Sequence, residues 1–245
     1  MHAPTAVSGS ELPLAGSTGQ QDFEDFIYLI SHDVRASVRA LQELPQWIVE
    51  DLDAAGVKID GQVAQSIELM NRHTGRLDRM LIDLLTYSRI GRMQAVGLVD
   101  LDAALTQITK AIKVPRGFDV ARSLECSEVL MGETDILTML DALITNSIKH
   151  HNKPGGQVGV TSRRDGDAVV VTVSDDGPGI SKAFEERVFG AMITLRPRDE
   201  VEGSGMGLAL VRKIADSYQG QAKIIPSPNG IGTTVEVRIA GQRCS

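Results

Sequence analysis

Two long stripes of apolar residues, separated by one short turn, constrain the fold of this chain more than any other feature. Within each stripe the residues recur at steps of three, four or seven, the spacing of one face of an α-helix. The first stripe contains Phe23, Ile27, Ile30, Val34, Val38, Leu41, Ile48 and Leu52. The second follows the turn AAGVKIDG and contains Val63, Ile67, Met70, Leu77, Leu81, Leu84 and Ser88. The stripes predict a helical hairpin with arms of nearly equal length.

This hairpin, residues 21–92, has too little core to be stable alone. Pairing with a second copy into a four-helix bundle would bury both stripes, so the pattern predicts a homodimer. Residues 1–20 are rich in Ala, Pro, Gly, Ser and Thr and predict a flexible leader. Pro45 removes a backbone donor, which predicts a first helix that is straight past His32 and bent between Leu41 and Pro45.

A second domain, residues 98–243, is expected after a linker at 91–97. Its periodicity predicts helices at 101–112 and 135–150, and strands at 118–124, 128–131, 157–164, 168–174, 221–227 and 233–239. Two strand pairs are joined by turn sequences, RDGD with Asp165 and Gly166 at its centre, and PNGIG. The predicted fold class is an α-helical hairpin, forming a dimeric four-helix bundle, followed by an α/β sandwich.

Composition limits the functional classes. The formal charge of −7 and the absence of a long basic run argue against nucleic acid as the main partner. No apolar run reaches the roughly 18 residues of a membrane span, and the N-terminus lacks a signal-peptide pattern. The two cysteines, Cys126 and Cys244, have no metal-site spacing and suit a reducing compartment. We therefore expect a cytoplasmic protein.

Two short motifs suggest a nucleotide site. In TNSIKH, on the second predicted helix of this domain, Asn146, Lys149 and His150 share one face. An amide oxygen for a metal and an ammonium for phosphate would point the same way. In SDDGPGI, directly after a strand, Asp175 can accept a hydrogen bond, and two glycines let the backbone approach a flat ligand. These glycines are Gly177 and Gly179.

Two further motifs follow in the chain. In GSGMGLALVRKI, Gly203, Gly205 and Gly207 lead into a helix whose free N–H groups and dipole can receive phosphates. The last motif is GTT at 232–234. Other nucleotide folds fit worse, because GSGMGL is not the GxGxxG of a Rossmann βαβ unit. The chain also lacks a Walker A sequence and the Lys, HRD and DFG set of Ser/Thr kinases.

TNSIKH, SDDGPGI, GSGMGLALVRKI and GTT resemble, in this order, the N, G1, G2 and G3 boxes of the ATP-binding fold shared by histidine kinases, Hsp90, DNA gyrase and MutL. SHDVRASVRA, at 31–40, resembles the H box of sensor histidine kinases, and FIYLISHD is similar to the phytochrome-related version. On the first helix His32 lies opposite the apolar stripe, so we expect it to face solvent. The resemblance implies an ATP-dependent kinase that autophosphorylates on His32 and passes the phosphoryl group to a response-regulator aspartate.

The resemblance also assigns roles. His32 is the expected phosphoacceptor, and Asp33 would fix its tautomer and take the developing charge. Asn146 would coordinate Mg²⁺ between the phosphates of ATP, Lys149 would contact phosphate, and Asp175 would accept from the adenine amino group. The remaining expected ATP-site residues are His150, Gly177, Gly179, Gly203, Gly205, Met206, Gly207, Leu208 and Thr233, the last supporting Asp175 through a water.

Residues 190–202 are polar and irregular, which indicates a lid over ATP. Arg196 or Arg198 would reach the phosphates from it, with a solvated loop as the alternative. Met192 stands where many relatives have a second phenylalanine after Phe189, so the anchoring of the lid is expected to differ. Ser37 replaces the proline of the H box.

Two further departures concern hydrolysis. Ala142 stands four residues before Asn146, where the ATP-hydrolysing relatives hold the glutamate that activates water. Asp141 lies about 140° from that face and is not expected to substitute, which favours phosphotransfer over hydrolysis. In relatives that dephosphorylate their regulator, a Thr or Asn stands three residues after the acid of the H box. Here that position is Ala36, which offers no hydrogen-bonding group.

Two functional classes stay open. The first is the kinase, with a response-regulator receiver domain as its partner. The alternative is a non-catalytic or weakly ATP-using dimeric scaffold for phosphotransfer. No sensory region precedes the hairpin in this sequence, so the input is expected through the leader, a separate sensor protein, or a part of the protein outside this chain.

Overall fold

The computed structural model describes residues 16–92, 94–196, 203–227 and 230–241, with side chains from residue 26 onward. Helix α1, Gly16–Ala54, and helix α2, Gly61–Arg89, form the predicted hairpin. Helix α1 starts inside the stretch that was predicted to be a flexible leader, and residues 1–15 lie outside the described part. The arms are also less equal than expected, with 39 residues in α1 and 29 in α2.

The two helices meet along a face of α1 that includes only part of the predicted apolar stripe. Ser31 and Val38 are buried against α2, and Arg35 Nε donates to Asp78 Oδ1 at 3.0 Å. Ile30 and Val34, at the centre of the stripe, keep 45% and 42% of their surface exposed. Because one residue turns a helix by about 100°, the contact and the centre of the stripe occupy neighbouring faces. The hairpin therefore leaves most of its stripe uncovered, and Leu41 and Ile48 are exposed in the same way.

Pro45 lies inside α1 and is buried. The helix continues through it to Ala54, although proline removes one backbone hydrogen bond from the helical ladder. The bend between Leu41 and Pro45 stays a prediction. Among the described helices, none combines the length and the apolarity that crossing a membrane requires.

The second domain is the predicted α/β sandwich. Its helices are α3, Leu101–Ile112, α4, Glu133–Lys149, and α5, Gly207–Ser217. Its strands are β1, Val96–Asp100, β2, Phe118–Leu124, β3, Glu128–Gly132, β4, Gly156–Asp165, β5, Ala168–Asp175, β6, Gln221–Ile225, and β7, Thr234–Ile239. A five-stranded sheet has the order β2-β4-β5-β7-β6, parallel between β2 and β4 and antiparallel elsewhere.

Three details differ from the sequence-based expectation. Strand β1, which pairs antiparallel with β3, is not among the predicted strands, and the boundary expected between the linker at 91–97 and the domain from 98 falls inside it. Asp165 pairs with Ala168, so the first hairpin loop is Gly166 and Asp167, one residue later than predicted. Strand β6 ends at Ile225 instead of residue 227. Part of the second turn, residues 228 and 229, lies outside the described part.

One face of the sheet carries the core. The valines that alternate along β5, Val169, Val171 and Val173, are buried beneath the helices. Two helices pack apolar faces against these valines. The faces consist of Ile136, Met139, Leu140, Leu143 and Ile144 of α4 and of Leu210, Val211 and Ile214 of α5. This packing places the end of β5, the second half of α4 and the start of α5 side by side.

The linker between hairpin and second domain is held by a buried carboxylate. Asp135, at the start of α4, is 2% exposed and accepts from Gly91 N–H at 3.1 Å. It also accepts from the Tyr218 hydroxyl at 2.7 Å, and that hydroxyl accepts from Gly132 N–H at 2.9 Å. Nearby, Lys213 Nζ lies 4.1 Å from the centroid of the Tyr87 ring of α2. The second domain is thus docked against the C-terminal half of α2.

Candidate functional site

A cavity of about 430 Å³ opens between α4, the end of β5, the segment 193–196 and the glycine-rich loop before α5. The structure brings most of the sequence-predicted residues of this domain into its wall. They are Asn146, Lys149, His150, Asp175, Gly179, Gly203, Gly205, Gly207, Leu208 and Thr233. Since these residues come from four separate motifs, the cavity joins them into one site.

Asp175 is held rigidly at one end of the cavity. Its Oδ1 accepts from the backbone N–H groups of Gly177 and Thr233, each at 3.0 Å. Its own N–H donates to the Thr233 carbonyl at 2.9 Å. With Oδ1 held by two backbone donors, Oδ2 can accept from the amino group of a ligand. Thr233 thus supports Asp175 directly through its backbone, and the support expected from it through a water stays a prediction. Gly177 acts behind Asp175, outside the cavity wall.

The other end of the cavity is suited to phosphates. Lys149 ends α4, and Asn146 lies one turn earlier, against the first residue of α5. A Cβ atom on Gly207 would lie 3.0 Å from Asn146 Nδ2, so glycine allows this close approach. The N-terminus of α5 points its free backbone N–H groups and the positive end of its dipole toward the site. An anion entering here would meet Lys149, Asn146 and these N–H groups together.

The glycine-rich loop is shaped by its own serine and by the segment after Phe189. Ser204 Oγ accepts from Met206 N–H at 3.1 Å. Gly205 has a φ of 76°, and a Cβ atom there would lie 2.8 Å from the Ile193 carbonyl oxygen. Met206, an expected ATP-site residue, is 1% exposed and belongs to the core beneath the loop instead of the cavity wall.

The expected lid is described only as far as residue 196. Ile193, Thr194, Leu195 and Arg196 line the cavity, so Arg196 does reach the site, whereas Arg198 lies outside the described residues. Phe189 is buried, with the Arg212 guanidinium 4.5 Å from its ring centroid. Met192 has a left-handed backbone, φ 61°, and remains 42% exposed. It does not take the place of a second buried aromatic residue.

His150 stands between the two ends of the site. Part of the His150 ring reaches solvent, but the surrounding residues exclude water from the rest of it, and this partial burial lowers the pKa of His150. The positive charges of Arg196 and Lys149 lower the pKa further, and Asp175 opposes them. A neutral imidazole therefore lies beside the cations that would receive phosphates.

His32 lies outside the cavity, on α1. Its side chain is 72% exposed, which confirms the expected solvent-facing position, and its Nδ1 lies 3.2 Å from Asp33 Oδ1. The contact between Arg35 and Asp78 shows which residues of the antiparallel helices lie at the same height. Along the hairpin axis, His32 lies three residues from Arg35, or about 4.5 Å from that contact. Asp83 lies five residues from Asp78, or about 7.5 Å from the contact in the same direction, because the helices are antiparallel. Because Asp83 lines the cavity, the cavity opens at about the height of His32.

Sequence reasoning missed three residues of the cavity wall, Asp83, Asp141 and Ser204. Asp83 reaches the cavity from α2, and its carboxylate accepts a hydrogen bond from Ser204. Asp141 was excluded because it lies about 140° from Asn146, yet it lines the cavity. Lys149 lies between the two around the helix, so the wall is wider than one face. Burial raises the pKa of the Asp141 carboxyl, and Lys149 opposes the shift.

Residues 131–243 match the family described as "Histidine kinase-, DNA gyrase B-, and HSP90-like ATPase". The chain is 30% identical over 222 residues to the methanogenesis regulatory histidine kinase FilI of Methanothrix harundinacea, covering 87% of this chain and 24% of FilI. It is 27% identical over 218 residues to the phytochrome-like protein Cph1 of Synechocystis, covering 87% and 28%. The chain therefore spans about a quarter of the length of these relatives.

Solved structures share the fold. Full-length ShkA in complex with AMPPNP superposes with a TM-score of 0.65 at 19% identity, over 89% of this chain and 46% of ShkA. The histidine kinase AdeS of Acinetobacter baumannii gives 0.59 at 21% identity, over 86% and 98%. Histidine kinase ThkA in complex with response regulator protein TrrA also gives 0.59, at 17% identity, over 91% and 64%. Residues 131–243 thus match the histidine kinase-, DNA gyrase B- and HSP90-like ATPase family, and the chain, hairpin included, has the sequence similarity and the fold of a sensor histidine kinase catalytic core.

Proposed function

We propose that the chain is an ATP-dependent protein histidine kinase that autophosphorylates on His32 and then passes the phosphoryl group to an aspartate of a receiver domain. The observation that carries the proposal is the placement of an exposed histidine, paired with a carboxylate, at the height where the nucleotide-sized cavity opens. The family match supports the use of ATP, and the hairpin supplies the acceptor.

The chemistry of the cavity fits the nucleotide. Asp175 Oδ2 would accept from the adenine amino group, while Lys149, Arg196 and the N–H groups at the start of α5 would receive the phosphates. The amide oxygen of Asn146 is the kind of hard ligand that Mg²⁺ takes beside phosphate oxygens and water. Among the described residues no cluster of three His, Cys, Asp or Glu side chains forms a separate metal site. Mg²⁺ would neutralise phosphate charge during the transfer.

His32 has the chemistry of a phosphoacceptor. When Nδ1 carries the proton and donates a hydrogen bond to Asp33, the lone pair of Nε2 is free to attack. A bond then forms between Nε2 and the γ-phosphorus, and the bond from that phosphorus to the β–γ bridging oxygen breaks, releasing ADP. Asp33 stabilises the positive charge that develops on the ring. In the second reaction a receiver aspartate attacks the same phosphorus, and the bond to Nε2 breaks.

The hairpin supports a homodimer. The uncovered apolar stripe of α1, residues 30, 34, 41 and 48, runs beside the contact with α2 and can be covered by the hairpin of a second copy. The complex of ThkA with TrrA contains a response regulator, which supports a receiver domain as the partner here. The input would come through a separate sensor protein or through sequence outside the core.

Phosphorylation with ATP labelled on the γ-phosphate tests the proposal. We expect label on the wild-type chain and a loss of at least about 100-fold in His32→Ala, because no other residue would carry the acceptor nitrogen. His73→Ala is the matched control, since His73 is an exposed histidine on α2. Label that persists in His32→Ala would overturn the assignment of the acceptor.

The scaffold remains the second candidate, and one observation favours it. Asp83 and Asp141 bring two carboxylates to the end of the cavity where ATP phosphates would lie. A chain that accepts phosphate from a phosphorylated receiver domain, but takes no label from ATP, would be such a scaffold.

A further inference from the structure

The phosphate end of the cavity contains a carboxylate contributed by the other domain. Asp83 of α2 lines the same cavity as Asn146 and Lys149 of the ATPase domain. Ser204, in the loop that leads into α5, lines the cavity beside Asp83, lowers the pKa of its carboxyl, and accepts from Met206 N–H at 3.1 Å. The hairpin therefore meets the glycine-rich loop at the serine that lies among its glycines.

Several charged residues act on the Asp83 carboxylate. Lys149, and more weakly Arg79 of α2, stabilise the Asp83 carboxylate. Asp141, the other acid of the cavity, destabilises it. Burial raises the pKa of the Asp83 carboxyl, against the hydrogen bond from Ser204 and the charge of Lys149. The charged form is thus held in a place where its partners only partly replace water.

A nucleotide would need one of the same partners, Lys149. Lys149 and the N–H groups at the start of α5 are the expected ligands of the phosphates, and a phosphate placed there would face the negative charge of Asp83. Resting on the proposed function, we propose that Asp83 competes with the phosphates of ATP for Lys149, so that nucleotide binding and docking of the ATPase domain on α2 oppose one another.

This coupling works in both directions. If docking on α2 places Asp83 in the phosphate site, ATP binds the docked state more weakly than the undocked state. ATP must then favour release of the ATPase domain from α2 by the same factor. The hairpin thus sets the nucleotide affinity through one side chain of α2.

Nucleotide binding to the whole chain tests the proposal. Asp83→Asn keeps the shape of the side chain and removes its charge, and we expect it to bind Mg-ATP about tenfold more tightly than the wild type. Adenosine, which contacts only the Asp175 end, should bind both chains equally. Glu68→Gln is the matched control, because Glu68 is an exposed acid on α2 that pairs with Arg72, and its affinity should equal that of the wild type.

A distance measurement tests the coupling. Spin labels on cysteines introduced at the exposed Asn71 of α2 and at the exposed Ala183 of the ATPase domain report docking, in a Cys244→Ser chain diluted with unlabelled protein. ATP should lengthen this distance in the wild type by several ångströms or broaden its distribution, and change it much less in Asp83→Asn.

The outcomes separate the coupling from the proposed function. A wild type that binds neither ATP nor adenosine would contradict the proposed function itself. A wild type that binds ATP, with Asp83→Asn binding it equally or more weakly, would overturn the competition. Tighter adenosine binding in Asp83→Asn would also overturn it, since phosphates would not be involved. Should Asp83→Asn fail to fold, Asp83→Ala removes the same charge and carries the same expectations.

Discussion

The buried imidazole of His151 lies 3.1 Å from the carboxylate of Asp176 and joins the end of α4 to the end of β5. The ring is 1% exposed, and its centroid lies 5.3 Å from that of Phe118 in an edge-on contact. Lys153 N–H donates to Nδ1 at 3.1 Å, which leaves the proton on Nε2 to donate to Asp176. Asn146 and Lys149 precede this residue on α4, and Asp175 precedes Asp176, so the pair fixes the distance between the two ends of the nucleotide site.

We expect His151→Ala to destabilise the chain by about 3 kcal/mol and to weaken ATP binding. The change leaves a cavity beside Phe118 and removes a donor from Asp176, whose pKa is held low first by Gln157 N–H and also by His151. Urea unfolding and ATP titration measure the two effects. His73→Ala, at an exposed position, should change stability by less than about 0.5 kcal/mol. Equal unfolding curves for the two variants would contradict this role of His151.

The hydroxyl of Tyr218 gives a second stability prediction. Tyr218→Phe removes the donor to the buried Asp135 and leaves Gly132 N–H without that acceptor, which should cost about 1–3 kcal/mol in urea unfolding. Tyr28→Phe is the control, because the Tyr28 hydroxyl accepts only a long bond, 3.3 Å, from exposed Arg89. A variant as stable as the wild type would show that the linker does not depend on this bridge.

The same residue predicts a pH dependence. Burial, followed by the bond to Asp135, raises the pKa of Tyr218 from 10.0 to about 12. The folded chain therefore keeps this proton over a pH range in which the unfolded chain loses it. The stabilisation is complete below pH 10 and is lost as the pH rises toward 12. The unfolding free energy of the wild type should fall more steeply above pH 10 than that of Tyr218→Phe, and parallel slopes would contradict the assignment.

Particular residues show how far the sequence could predict this molecule. The 3.6-residue period located both arms of the hairpin and placed His32 on an exposed side, because these properties depend on local geometry alone. The same period could not tell whether the stripe around Ile30 faces α2 or a second copy. Asp83 carried no local signal, since its place in the cavity depends on the docking of residues more than 100 positions apart. Strand β1 was missed because five residues beside a glycine-containing linker give too short a pattern.

His150 predicts that ATP binding takes up a proton. Burial, Arg196 and Lys149 lower its pKa in the free site, and entering phosphates would oppose these cations. Protonated His150 would then be favoured in the bound state, so ATP affinity should rise as the pH falls from 8 toward 6. Calorimetry in two buffers with different ionisation enthalpies measures the proton. His150→Asn should abolish the uptake. Proton uptake by Asp83→Asn is measured in parallel, because the Asp83 carboxyl also faces the phosphates. An unchanged uptake in His150→Asn would contradict the role of His150.

The last prediction concerns the reverse reaction, loss of phosphate from the regulator. Ala36 lies exposed on α1, three residues after Asp33, where relatives with phosphatase activity hold a Thr or Asn that orients the attacking water. Its methyl group cannot hold a water, and the hydroxyl of Ser37 points about 100° away around the helix.

Because an oriented hydrogen bond commonly contributes on the order of 10²-fold to a rate, we expect weak phosphatase activity in the native chain. Ala36→Thr should raise it about tenfold or more while leaving autophosphorylation on His32 in place. The rate of phosphate loss from a purified phosphorylated receiver domain, measured without ADP, checks this, with Ala40→Thr as the control at another exposed alanine of α1. A native chain that accelerates the loss severalfold, with no further gain in Ala36→Thr, would show that water is oriented by another residue.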